Sequence, residues 1–256
     1  MAGSASAATV YNNLPKPLPK NVVSNAFEAR STAEFGGQVQ FAGTARNNPA
    51  VTVVMSSWAC QEGYGATCKT VAGATFNQPI TLNVYNVGVG GEVGSPVTSK
   101  TQVFAIPFRP SANNRLCTPN VENNVGYTSE CWYGRATKII FNLEGVKLPA
   151  SAILSVAFNT SDYGAEKQRP KACNAFNPSR CPYDSLNVGL TEPANEEAPT
   201  PVLPSIGSNP QPADTYQNST YAGFYCDGGA GGTGTFRLDA GCSTGYQPLF
   251  EVKASA

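Results

Sequence analysis

The sequence predicts an all-β fold, two sheets packed as a β-sandwich of jelly-roll type with long disulfide-stapled loops, and three observations predict it. Apolar and polar residues alternate in short runs bounded by Gly, Pro, Asn and Ser. No stretch of about ten residues keeps the apolar spacing of three and four that a helix needs. The connections between runs are long, which favours a two-sheet sandwich over a tight up-and-down barrel.

The strands follow in order. Residues 38–42 (QVQFA) alternate, and 51–58 (VTVVMSSW) are rich in β-branched residues and end beside Cys60. These two face each other across Arg46-Asn47-Asn48-Pro49. Residues 80–87 (ITLNVYNV) alternate over their whole length, the mark of a half-buried strand, and 89–94 (VGGEVG) form its turn. Residues 101–107, 138–143, 153–159, 185–190, 235–238 and 249–253 complete a set of about nine strands.

Residues 1–8 read as a signal-peptide remnant or a flexible tail, because Ala5-Ser6-Ala7 matches an A-x-A cleavage site. Residues 9–35 read as an extended arm, since Leu14-Pro15-Lys16-Pro17-Leu18-Pro19 fits neither a central strand nor a helix interior. Residues 36–256 are expected to form a single sandwich domain. Its proline-rich stretch 191–217 is read as a surface excursion, because the 39 residues that follow are too few for a comfortable core of their own.

The eight cysteines, Cys60, Cys68, Cys117, Cys131, Cys173, Cys181, Cys226 and Cys242, fall into four close sequence pairs. Neighbour pairing is the simplest scheme, and crossed pairing remains open. A loop of about 15 residues closed by a disulfide gains roughly 3 kcal/mol in the chain-entropy picture. Zinc is the competing account, but no interval is as short as a C-x₂₋₄-C knuckle. Disulfides point to a secreted, extracellular protein, and no run of apolar residues is long enough for a transmembrane span.

Composition narrows the chemistry. With 17 basic and 17 acidic residues there is no net field to attract nucleic acid or an acidic membrane. Histidine is absent, which removes Ser-His-Asp and Cys-His catalysis and histidine metal sites. The strings EFGGQVQFAGTARN, VTVVMSSWACQEG, ITLNVYNVG, CPYDSLNVGL and YCDGGAGGTGTFRLDAGC resemble a group of secreted bacterial proteins from soil organisms. The resemblance spans roughly residues 10–250, implies one bacterial extracellular unit, and carries no catalytic or binding residue across.

Candidate sites come from three patterns. Trp132, Tyr133, Tyr163, Tyr183 and Tyr225, in a set that also includes Tyr221 and Tyr246, offer rings on which the C–H faces of sugars stack, with Asn, Asp and Gln in the chain for the hydroxyls; Trp58, at the end of an apolar strand, reads as core. The aspartates all follow residue 160, and Asp184, Asn187, Asp227 and Asp239 lie in turn-rich segments that suit calcium, or alternatively shape those turns themselves. Glu144, Asp162, Asp184, Asp227 and Asp239 are the carboxylates available to a glycoside hydrolase. The expectation is a non-enzymatic extracellular module that binds a polysaccharide and requires no cofactor apart from a candidate calcium. Two rivals are a filament or surface-layer subunit joined to copies of itself through residues 9–25, and a carboxylate-based polysaccharide-degrading enzyme.

Overall fold

The computed structural model describes residues 7–28, 30–62, 68–113, 133–159, 186–241 and 243–256. In chain order these form β1 (Ala8–Asn12), β2 (Ser24–Asn25), β3 (Thr32–Gln40), β4 (Asn47–Ser57), β5 (Thr75–Val87), β6 (Val93–Pro107), β7 (Arg135–Asn142), β8 (Ser151–Ala157), β9 (Leu186–Gly189), β10 (Thr215–Ser219), β11 (Arg237–Asp239) and β12 (Phe250–Ser255). One sheet joins β1, β12, β4, β9 and β2, with β7 on the far side of β4; the other runs β11-β10-β3-β8-β5-β6. Two antiparallel sheets packed face to face make a β-sandwich, and these strand orders do not by themselves establish a jelly roll. Among the described residues no helix is long and apolar enough to cross a membrane.

The sequence pattern explains the layering. In β5 the apolar set Ile80, Leu82 and Val84 is fully buried, while Thr81, Asn83 and Tyr85 between them are half-buried on the outer face. β4 carries a continuous run because both its faces are covered. Val51, Val53 and Met55 enter the main core, whereas Val54 points the other way into a smaller cluster with Leu14, Val22 and Leu249. Phe104 and Phe141 meet edge to face at 4.9 Å, tying β6 of one sheet to β7 of the other. β3 and β8 approach so closely that a Cβ at Gly36 would lie 2.3 Å from the Leu154 carbonyl oxygen.

Along one edge of β4 two segments share a single strand line. Met55 pairs with Val188 of β9, and Val53 pairs with Phe250 of β12. At the junction the Leu249 N–H donates to the Gly189 carbonyl at 3.0 Å, and the Val54 N–H donates to the Leu249 carbonyl at 3.1 Å. Residues between them leave the first sheet, touch β1 and β3 at the bridges Asn12–Ile206 and Gln40–Ser208, and enter the second sheet as β10.

All nine strand runs read from the sequence have a counterpart in these elements, and β1, β2 and β10 are additional. The arm expected over 9–35 is more closely built in than its prolines suggest. Its run Pro15-Lys16-Pro17 is exposed, but Ala8–Asn12 pairs with β12 and buries Val10 and Tyr11, and β3 begins at Thr32. Cys60 and Cys68 form a disulfide, as neighbour pairing anticipates, and Cys226 is also disulfide-bonded. Cys117, Cys131, Cys173, Cys181 and Cys242 lie outside the described residues.

Candidate functional site

Where β2 and β9 end the first sheet and β10 and β11 end the second, the layers part around a cavity of about 310 Å³. Its apolar lining is Val23, Phe35 and Leu190; Phe35 and Leu190 belong to the main core and Val23 packs against it. Its polar lining comes from both layers, with Ser24, Asn25 and Arg30 on one side and Thr215, Gln217, Asp239 and Ser243 on the other. Glu196, exposed, and Tyr246, half-buried, complete the wall.

Local structure fixes these groups. Arg30 follows β2 by a turn in which its N–H donates to the Ala26 carbonyl, and its guanidinium lies 5.1 Å from the Phe224 ring centroid. One guanidinium nitrogen donates to Asn25 Oδ1 at 3.4 Å. The Asn25 side chain is 2 % exposed, and its Nδ2 has no hydrogen-bond acceptor. Across the cavity, Asp239 Oδ1 accepts from the Cys226 N–H at 2.8 Å and Oδ2 accepts from Gln217 Nε2. Thr215 Oγ1 and Ser243 Oγ share a hydrogen bond of 3.0 Å.

Electrostatics follow from this burial. The Asp239 carboxyl is pushed above its ordinary range by desolvation, against the hydrogen bonds from Cys226 and Gln217 and the nearby Arg237 guanidinium. Burial likewise raises the Tyr246 phenol, helped by the negative charges of Glu196 and Glu192. Donors, acceptors and both signs of charge therefore converge on one small volume, an arrangement suited to a neutral, hydroxyl-rich molecule.

The residues read from the sequence distribute as follows. Tyr133 is exposed immediately before β7. Tyr225 is only 4 % exposed; its hydroxyl accepts from the Ser219 N–H at 2.8 Å, and the Arg237 guanidinium carbon lies 4.0 Å from its ring centroid. Tyr225 is thus held as an internal support with a cation over its ring. Trp132, Tyr163, Tyr183 and Asp184 lie outside the described residues, as does Asp162. Trp58 is buried at the end of β4.

The acidic set is spread rather than gathered. Asn187 is buried in β9, where its amide donates to Ser24 Oγ at 3.3 Å. Asp227 accepts from the Gly229 N–H at 2.8 Å, the Gly231 N–H at 2.9 Å and Arg237 at 2.9 Å, and so folds the glycine loop around itself. These contacts, led by the Arg237 hydrogen bond, hold its carboxyl down at about 2. Among the described residues no three His, Cys, Asp or Glu side chains group as a metal site. Of the three calcium candidates among the described residues, Asn187, Asp227 and Asp239, only Asp239 lines the cavity, with its two oxygens already accepting protein N–H groups.

The cavity residues Asn25, Arg30, Gln217 and Glu196 escape a sequence search tuned to aromatics and aspartates. One of them, Asn25, carries a signal: Ser24-Asn25 is a polar pair inside an otherwise apolar stretch, VVSNAF, which marks a buried polar position. Comparison with protein-family models, with curated proteins and with solved structures finds no match to this chain.

Proposed function

We propose that this chain is a secreted, non-enzymatic binding module for a glycan, with the ligand held in the cavity between the sheets. The observation that carries the reading is the lining itself: Ser24 and Arg30 stand on one side, Asp239 and Gln217 on the other, and the Tyr246 ring stands in the wall. Sugar hydroxyls donate and accept at once, and their C–H faces pack on aromatic rings. The Cys60–Cys68 disulfide supports an extracellular setting. The test is retention of the oxidised protein on a panel of neutral, acidic and amino polysaccharides, with Tyr246→Ala beside the parent. Retention of the parent on at least one polymer, weakened about tenfold in the variant, is expected. No retention on any polymer overturns the reading, and reducing-end release from the same panel replaces it with carboxylate hydrolysis by Asp239 and Glu196.

A second reading, a subunit that joins copies of itself through residues 9–25, draws on the position of β1. That strand lies at the edge of its sheet, where main-chain hydrogen bonds to β12 are of the kind a neighbouring copy can supply.

A further inference from the structure

A second cavity, of about 400 Å³, adjoins the first, and both proline-rich segments of the chain contribute to its walls. Leu14, Pro15 and Pro19 come from the N-terminal segment; Val202 and Leu203, which stand between Pro201 and Pro204, come from the stretch before β10. Proline has no N–H to offer, so walls built around it present carbon and few donors. The polar side chains of the lining are largely engaged by the protein itself. Asn13 donates to the Pro248 carbonyl at 2.9 Å and accepts from the Phe250 N–H at 2.7 Å. Thr191 Oγ1 donates to the Gly245 carbonyl at 2.6 Å and accepts from the Gln247 N–H at 2.8 Å, and Ser205 Oγ donates to the Asn12 carbonyl at 3.1 Å. Asn21 and the exposed Glu192 are the remaining polar members. Among the described residues the lining holds no aromatic ring, so a sugar has nothing to stack on there, whereas an aliphatic group finds matching surface.

The same two residues border both cavities. Val23 and Leu190 line each of them and are tied together by the Leu190 N–H, which donates to the Val23 carbonyl at 2.7 Å. Glu192 on the wall of the apolar cavity and Glu196 on the wall of the polar one are exposed and four residues apart. The charges of both act on the Tyr246 phenol, which stands in the polar wall. A polar and an apolar recognition surface therefore meet at one ridge, beside one loop.

We propose that the ligand is amphiphilic, a sugar carrying an aliphatic aglycone, with the sugar in the polar cavity and the aliphatic group across the ridge of Val23 and Leu190 in the proline-walled one. The inference rests on the glycan-binding reading and adds to it the chemical class of what the sugar is attached to.

The experiment titrates the oxidised protein with the methyl, butyl and hexyl glycosides of the sugar type retained in the polysaccharide panel, each below its micelle concentration, and repeats the series with Leu203→Ser. Leu203 is 73 % exposed, so the variant keeps the fold. Each methylene that enters the apolar cavity should raise affinity about threefold, which puts the butyl glycoside about tenfold or more above the methyl and the hexyl higher again. Leu203→Ser should cut the gain of hexyl over methyl by about fivefold while leaving the methyl glycoside within about twofold of the parent. Side-chain methyl resonances of Val202 and Leu203 should move with the hexyl glycoside and stay in place with the methyl one. Equal affinity for the three glycosides overturns the inference and leaves glycan binding intact. The same holds for a chain-length gain that leaves those resonances unmoved, for a gain that Leu203→Ser does not reduce, and for polymer retention without binding of any glycoside. Failure to retain the protein on any polymer overturns both the inference and the reading beneath it.

Discussion

Asp227 and Asp239 are twelve residues apart and flank the same arginine, yet the fold treats them oppositely. Arg237 and the N–H groups of Gly231 and Gly229 hold Asp227 near 2, below the ordinary value of 3.8. Its contribution to stability is therefore present above 3.8 and is lost as pH falls toward 2. Asp239, pushed upward by burial, favours the folded state most when protonated, below 3.8, and that contribution declines as pH rises through its higher folded value. Replacing Asp227 with Asn removes the first effect, so the urea midpoint of the variant should change less between pH 2 and 3.8 than that of the parent. Equal acid limbs in the two proteins would contradict this role. The sequence displayed both aspartates among glycines, which is enough to suggest a turn, but the direction of each shift depends on Arg237 and on burial that no local pattern contains. Asn25 is the same lesson from the other side: its Nδ2 is buried without an acceptor, and only three-dimensional placement reveals that.

Among the elements, alternation was the dependable signal. β5 was read from ITLNVYNV, and β4 from its β-branched run, because side-chain period and burial agree there. β1, β2 and β10 were hidden for separate reasons. Nearby prolines mask the strand signal of Thr9-Val10-Tyr11, Ser24–Asn25 is only two residues long, and Thr215–Ser219 is polar yet almost wholly buried, so its sequence resembles a loop. The correction for β1 has an energetic consequence. Tyr11 is 2 % exposed and sits in the main core, so Tyr11→Ala should destabilise the protein by about 3 kcal/mol, read as a lower denaturant midpoint at unchanged slope. A loosely lying surface arm would tolerate the change within about 0.5 kcal/mol.

On the scale of the whole molecule, the two sheets close over one main core, and the longest edge strand carries its own protection. β6 has Pro96 in its run, and Lys100 reaches across to the Asn142 carbonyl at 2.6 Å. Proline and lysine on an edge both hinder pairing with another chain. β12 is already occupied on both sides, by β1 and by β4. The oxidised protein should accordingly scatter light as a 26.8 kDa monomer whose mass is constant with concentration. Growing species would favour the subunit reading and direct attention to the exchange of β1 between copies.

The shared strand line against β4 divides the lining of the cavity between two stretches of chain. β9 stops at Gly189 and β12 takes over beside it, so the chain between them departs from and returns to one point of an otherwise continuous lattice. That stretch supplies Leu190, Glu196, Thr215, Gln217, Asp239, Ser243 and Tyr246 to the cavity, while the chain near the N-terminal end supplies Val23, Ser24, Asn25, Arg30 and Phe35. Each wall of the cavity is therefore drawn from one stretch of chain, so substitutions confined to the later stretch can alter one wall and leave the residues of the other unchanged.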